Sequence, residues 1–145
     1  MKYLGLVLLI LVTACSKENI SQKEVPETVK AKFATLYPSV SDLDWSMEDS
    51  NYEAEFEEGK FETSVIFTPG AEVVQTENEI LQSEIPDAIL HYVDYNLNGK
   101  RIKEAEKITK GQGGKTEISY SLEIGKYNYI FDAAGNFLRK ESDND

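Results

Sequence analysis

The sequence predicts an α+β protein in which two tandem α-β-β-β-β repeats form one antiparallel sheet of about eight strands, with both helices packed on one face. Residues 84–89 (EIPDAI) repeat the pattern of residues 24–29 (EVPETV), and residues 129–135 (YIFDAAG) resemble residues 65–70 (VIFTPG). Each proline-led segment is followed by stretches in which apolar and polar residues alternate. Internal similarity of this kind indicates a repeated architecture, and short helices need a sheet face to cover.

Residues 1–14 predict a lipoprotein signal peptide. Lys2 precedes an apolar run that ends at Ala14, which is shorter than the roughly 20 residues needed to span a bilayer. The tetrad at positions 12–15 (VTAC) places the only cysteine of the chain directly after this run. It resembles the lipobox of bacterial lipoproteins, which implies cleavage before Cys15 and a lipid on its sulfur.

Residues 15–24 are predicted to be the lipidated Cys15 and a flexible tether, because they are polar and lack hydrophobic periodicity. Ser16 follows the cysteine where an aspartate would disfavour outer-membrane sorting in enteric lipoproteins. We therefore expect an outer-membrane lipoprotein of the cell envelope, held to the membrane by the lipid on Cys15. Whether it faces the periplasm or the cell surface stays open.

Composition limits the partners of the mature chain. The formal net charge is −11. Removal of residues 1–14 deletes Lys2 and no acidic residue, which leaves −12. This charge repels nucleic acid and bare anionic lipid. The length suits one domain, which we place at residues 25–141, followed by an acidic tail at 142–145.

The first predicted repeat covers residues 25–80. Pro26 and Glu27 suit the first turn of a helix, and Val29, Phe33 and Leu36 form its apolar stripe. The helix ends before Pro38. Alternation then predicts four strands joined by turns short enough to require antiparallel neighbours, near residues 43–48, 52–57, 61–67 and 73–80.

The second predicted repeat covers residues 85–141. Ile89, Val93 and Leu97 form a helical stripe that ends near Asn98–Gly99. Strands are predicted near residues 102–109, 118–124, 127–131 and 137–140, with a glycine-rich connection at 110–115. Ala105 stands where the first repeat has Trp45.

The mature chain resembles the PepSY-like family of β-lactamase-inhibitor-like proteins, which are secreted and lipoprotein-anchored tandem repeats. The residues that carry the resemblance are Pro26, Trp45, residues 52–56 and residues 65–70 in the first copy, and Pro86, residues 118–120 and residues 129–136 in the second. The second copy lacks the tryptophan. The resemblance implies a non-catalytic PepSY-like domain that binds or inhibits a protein through the open sheet face.

Five glutamates form the candidate binding face. Alternation along the strands would place them on the side of the sheet that carries no helix; they are Glu53, Glu55, Glu57, Glu117 and Glu123. An acidic patch there would suit a basic partner or a divalent cation. The alternative is a solvated strand face that resists edge aggregation.

A weak metal candidate lies at the end of the second helix. Asp94, Asn96 and Asn98 have the spacing of the first half of a calcium loop, but the second half fails because Arg101 and Ala105 occupy its key positions. A helix end capped by Asn98–Gly99 explains the pattern better. We therefore expect no bound metal and no cofactor.

No set of residues indicates a reaction. His91 is the only histidine, so neither a zinc site nor a catalytic dyad can be assembled from it. The prediction is a non-catalytic envelope lipoprotein, not an enzyme, that binds a protein of the envelope or a secreted protein through the helix-free sheet face. A structural or divalent-cation-binding lipoprotein without a protein partner is the alternative.

Overall fold

A computed structural model describes residues 17–112 and 114–142, so the predicted signal peptide, Cys15 and residues 143–145 lie outside the described residues. The elements in chain order are β1 (Glu18–Ile20), α1 (Glu27–Leu36), β2 (Asp44–Glu48), β3 (Asn51–Glu58), β4 (Phe61–Phe67), β5 (Val73–Glu79), a 3₁₀ helix (Gln82–Glu84), α2 (Asp87–Leu97), β6 (Glu104–Gln112), β7 (Lys115–Ile124), β8 (Tyr127–Asp132) and β9 (Phe137–Ser142). Within these ranges, no helix is long and apolar enough to cross a membrane.

The nine strands form one antiparallel sheet in which spatial order follows chain order from β1 to β9. Two-residue turns join β2 to β3, β3 to β4, β6 to β7 and β7 to β8, and connections this short force neighbouring strands to run in opposite directions. Longer segments that contain α1 and α2 link β1 to β2 and β5 to β6. The pairing is continuous through the middle of the sheet, where β5 pairs with β6 from Gln75↔Lys110 to Glu79↔Glu106.

Each helix covers a separate group of buried apolar residues. The first core cluster comprises Val25, Val29, Phe33, Trp45, Ala54, Phe56, Val65 and Phe67. The second core cluster comprises Ile85, Ile89, Val93, Ala105, Leu122, Ile124, Tyr129 and Phe131. Both helices begin directly after a proline, whose fixed φ near −55° suits a helix start.

Strand register places both clusters on the same side of the sheet. Val65 pairs with Thr76, Thr76 with Thr109, and Thr109 with Ile118. Paired residues share a face, and residues two apart along a strand share it too, so Leu122 of the second core cluster lies on the same side as Val65. We call the opposite side the helix-free face.

The predicted fold class is contradicted. The structure shows a single sheet of nine strands with two helices, not about eight strands, and it does not show two tandem repeats. The additional strand is β1, formed by residues that the sequence placed in a flexible tether. β1 pairs with β2 from Glu18↔Met47 to Ile20↔Trp45, and Ile20 packs against the first core cluster.

The glycine-rich segment at 110–115 also differs from its prediction as a connection between strands. β6 continues to Gln112 and β7 begins at Lys115, so most of the segment belongs to the longest hairpin of the sheet. Lys110 pairs with Glu117, and Gly111 pairs with Thr116. Glycine in a strand interior gives up side-chain packing. Apolar alternation therefore predicted strands near 102–109 and 118–124 but not their extension to Gln112 and Lys115.

Candidate functional site

Glu53 is the most deeply buried acidic side chain of the helix-free face, at 5% exposure. Its Oε2 accepts a hydrogen bond of 2.7 Å from Ser46 Oγ, and its Oε1 accepts one of 2.6 Å from Ser64 Oγ. Lys17 Nζ lies 3.1 Å from Glu53 Oε2 and 2.8 Å from Glu55 Oε2. A buried carboxylate is costly unless it is paired and hydrogen-bonded, and here both conditions are met.

These contacts govern the ionisation of Glu53. Burial alone would raise the pKa of this carboxyl, but hydrogen bonds from Ser64 and Ser46 and the charge of Lys17 lower it below its ordinary value. For Lys17, partial burial would lower the pKa, but Glu55 and Glu53 raise it. Glu53 therefore stays ionised near neutral pH as part of an ion pair that joins the residue before β1 to β3 across β2.

The other predicted glutamates are more accessible than Glu53. All five lie on the helix-free face, because Glu55 pairs with Ser64, Glu57 with Glu62, Glu117 with Lys110, and Glu123 with Glu104. Glu55 is paired with Lys17, and Glu123 is paired with Lys103. Glu57 and Glu117 are exposed.

Register reveals a feature that the sequence does not show. Three acidic residues of the helix-free face stand directly opposite another acidic residue on the neighbouring strand; the pairs are Glu57↔Glu62, Glu79↔Glu106 and Glu104↔Glu123. Like charges directly opposite each other destabilise a sheet. Lys103 offsets the repulsion at Glu123, so the repulsion that opposes folding lies at Glu57↔Glu62 and Glu79↔Glu106.

Burial and neighbouring acidic charges act together at the centre of the sheet. Burial, followed by the charges of Glu77 and Glu104, raises the pKa of Glu106 to about 7. Burial also raises the pKa of Glu77, although a hydrogen bond from Gln75 lowers it in part. Burial raises the pKa of Glu62 as well, and the charge of Glu55 raises it further. We call Glu62, Glu77, Glu79 and Glu106 the central acidic group.

The sequence patterns did not predict the central acidic group. The alternation of Gln75, Glu77 and Glu79 could have placed two of its members on one face. The position of Glu79 opposite Glu106, and of Glu77 opposite Ile108, depends on the register between β5 and β6, which are separated in the chain by α2. No local pattern fixes that register.

The remaining candidates lie elsewhere. Asp94 and Asn96 belong to α2, where Asn96 Nδ2 donates to the carbonyl oxygen of Tyr92, and Asn98 ends the helix with φ 54°. His91 is exposed on α2, whereas Trp45 is buried in the first core cluster. Within residues 17–112 and 114–142, no group of three or more histidine, cysteine or acidic side chains is arranged to hold a metal ion.

Comparison with solved structures shows that this architecture is a BLIP-like fold. A candidate periplasmic protein of Bacteroides eggerthii matches with a TM-score of 0.69 and 22% identity over 81% of this chain and 88% of that one. A DUF2874 family protein of Bacteroides uniformis matches with a TM-score of 0.66 and 20% identity, over 81% and 88%.

A BLIP-like protein of Bacteroides fragilis matches with a TM-score of 0.61 and 21% identity, over 81% of this chain and 85% of that one. No family model matches the sequence, and no curated protein matches it either. These likenesses establish the fold of the chain, including the β-lactamase-inhibitor-like part of the resemblance noted in its sequence.

Proposed function

We propose that this protein is a non-catalytic lipoprotein of the cell envelope that binds another protein through its helix-free face. The observation that carries the proposal is the acidic pairing across neighbouring strands of that face, at Glu57↔Glu62 and Glu79↔Glu106. Since these pairs oppose folding, a functional role accounts for them better than stability does. A basic surface on a partner would neutralise them.

The location rests on the sequence and on one structural relative. The lipobox-like segment at 12–15 supports attachment to the outer membrane through Cys15. The Bacteroides eggerthii neighbour described as a candidate periplasmic protein supports an envelope location. Membership of the PepSY-like family, proposed from the proline-led helices and the hairpin residues, would agree with both.

The nature of the partner follows from charge. The mature chain would carry −12, and Lys17, Lys103 and Arg139 on or beside the helix-free face already form ion pairs with acidic residues. Opposite charge on a partner would speed association and select against acidic competitors. We therefore propose a basic protein of the envelope, or a secreted one, as the partner.

Partner recovery from envelope extracts tests the proposal. Wild-type protein is compared with a face variant (Glu62→Lys, Glu79→Lys, Glu106→Lys) and with a matched control variant of equal charge change (Glu27→Lys, Glu72→Lys, Asp94→Lys). The control residues are exposed and belong to α1, the β4–β5 turn and α2. We expect wild type and control to recover the same basic protein and the face variant to lose it.

Two further measurements keep the experiment decisive. Circular dichroism of each variant checks folding, and a milder face variant with glutamine at the same three positions removes charge without adding any. Equal recovery by the face and control variants would refute a binding role for the helix-free face. Loss of recovery in both would show that net charge alone governs the interaction.

A further inference from the structure

A groove of about 890 Å³ crosses one end of the helix-free face. It extends from the β2–β3 turn to the tip of the β6–β7 hairpin. Its size falls within the range of ligand-binding clefts. The residues that line it differ in character from the central acidic group, because they include apolar and basic side chains as well as acidic ones.

The floor of the groove contains two apolar side chains. Ile66 is 8% exposed and lies on the helix-free face, since it pairs with Glu53 and Gln75. Val74 joins it through an irregularity in the ladder: Ile66 pairs with Gln75 and Phe67 with Val73, which leaves Val74 as the extra residue. A bulge of this kind re-aims a side chain, and here it adds an apolar contact surface to a polar face.

The two walls of the groove carry opposite charges. Glu48 and Asp49 line the wall at the β2–β3 turn, and Lys110 and Lys115 line the wall formed by the β6–β7 hairpin. Glu117, which pairs with Lys110, also lines the hairpin wall, so the two lysines leave that wall with a net charge of one positive unit. Three strand spacings separate β3 from β6, which amounts to roughly 15 Å. An extended chain of about five residues, at roughly 3.3 Å per residue, spans that distance.

We propose that this groove binds an extended peptide segment of a protein partner, with a basic side chain toward Glu48 and Asp49, an acidic side chain toward Lys110 and Lys115, and an apolar residue over Ile66 and Val74. The proposal rests on the proposed function, because it assigns part of the same face. It adds a sequence preference to that function: one basic and one acidic residue about four positions apart, separated by an apolar residue.

Synthetic peptides provide the test. The probe is acetyl-Lys-Thr-Val-Thr-Glu-amide, and its mate is acetyl-Gln-Thr-Val-Thr-Gln-amide, which keeps the apolar residue and removes both charges. Each is titrated into the ¹⁵N-labelled full chain while amide chemical shifts are recorded. We expect the charged peptide to shift the amides of Ile66, Val74 and Gly111 and to bind at least fivefold more tightly than its neutral mate.

A charge reversal in the protein gives the second arm. Lys110→Glu with Lys115→Glu should weaken binding of the charged peptide at least tenfold. Lys126→Glu with Lys60→Glu makes the same charge change in turns at the opposite end of the strands and should leave binding unchanged. Dispersed amide spectra for both variants show that they are folded.

Three results would overturn the groove assignment: equal binding of the two peptides, shifts confined to other surfaces, or no shift with either peptide up to millimolar concentration.

The two proposals fail separately. If the central acidic group is needed for partner recovery while the peptides leave the groove amides unmoved, the face binds a partner and the groove does not take part. If the peptides bind as expected but no partner depends on the central acidic group, the groove stands and the proposed role of the acidic pairs falls.

Discussion

The two core clusters beneath the helices are built from different kinds of side chain. In the first core cluster, the ring of Phe33 meets three other aromatic rings edge-on. The distances between ring centroids are 5.3 Å to Phe56, 5.7 Å to Trp45 and 6.4 Å to Phe67. In the second core cluster, aliphatic residues predominate. Its outer aromatic contacts lie toward the edge of the sheet, where Tyr92 stacks on the partly exposed Phe137 at 5.2 Å. Aromatic packing is therefore concentrated at the centre of the first core cluster, whereas in the second it extends from the buried Phe131, through Tyr92, to the partly exposed Phe137.

The same contrast extends to the turns and the buried carboxylates. The β4–β5 turn places Ala71 at φ 64°, whereas the β8–β9 turn places Gly135 at φ 85°. Glu53 forms an ion pair with Lys17 and accepts hydrogen bonds from two serines, whereas Glu106 faces other carboxylates. The fold thus contains two pairs of comparable sites. In each pair one residue is accommodated without strain or repulsion and the other is not, and substitutions can measure the difference in stability.

The largest effect is expected at Trp45. Trp45→Ala should lower the free energy of unfolding by about 4 kcal/mol, because it removes the largest side chain of the first core cluster and leaves a cavity. Urea unfolding measures the change. Trp45→Phe should cost less than about 1.5 kcal/mol, since it keeps a ring and removes an indole N–H that has no hydrogen-bond partner among the described residues.

Tyr95→Ala serves as the control, because Tyr95 is 87% exposed. It should change stability by no more than about 0.5 kcal/mol. A loss below 1 kcal/mol for Trp45→Ala would mean that the aromatic cluster is loosely packed, and the contrast between the two clusters would then have no energetic basis.

The next effect is expected at Gly135. A Cβ at this position would lie 2.7 Å from Ala88 Cβ at the start of α2, in a backbone conformation that L residues avoid. Left-handed geometry costs an alanine about 1–2 kcal/mol, and overpacking adds about 1–3 kcal/mol, so Gly135→Ala should destabilise by about 3 kcal/mol. The change is measured as a shift of the urea midpoint.

The reciprocal substitution supplies the matched comparison. Ala71 already occupies left-handed geometry at φ 64°, so Ala71→Gly should relieve strain. We expect stabilisation of about 1 kcal/mol or slightly less, because glycine also gains entropy in the unfolded chain. If both substitutions destabilise equally, the close approach to Ala88 is not what distinguishes the two turns.

Local patterns in the sequence predicted the helices and the strands that are long enough to show a hydrophobic periodicity. Pro26 and Pro86 marked the helix starts, and the alternation at 52–57 placed Glu53, Glu55 and Glu57 on one face, as the structure shows. β1 escaped because three residues are too few to display a period, and its place depends on Ile20 packing against the first core cluster. The prediction of a flexible tether did not account for this tertiary contact of Ile20.

The candidate site was less predictable than the fold. Sequence alone suggested that Glu53 is an accessible binding residue, but register surrounds it with Ser46, Ser64 and Lys17. The partners of Glu106 and the placement of Val74 in the groove depend on pairing between strands and on a bulge. Neither is encoded in the residues next to them, because register is set by the whole sheet.

A pH-dependent effect, which separates the two carboxylates, is expected at Glu106. Its pKa is raised from 4.5 to about 7 in the folded protein. Below pH 4.5 the group is protonated in both the folded and unfolded states, so it costs no stability. Between pH 4.5 and 7 the unfolded chain ionises first, and the cost grows until it is complete above pH 7.

Glu106→Gln should therefore stabilise the protein at pH 8 and have little effect at pH 4. The shift corresponds to about 3 kcal/mol, which we reduce to about 2 kcal/mol because the side chain retains some solvent contact. Urea unfolding at the two pH values measures it, with the exposed turn residue Glu72→Gln as control. Glu53→Gln should have the opposite sign near neutral pH: its folded pKa is lowered, so its stabilisation is present above pH 4.5 and is lost as the pH falls through the folded pKa. Equal effects of Glu106→Gln at pH 4 and pH 8 would show that the acidic pairs do not repel one another, and would remove the energetic argument for a basic partner.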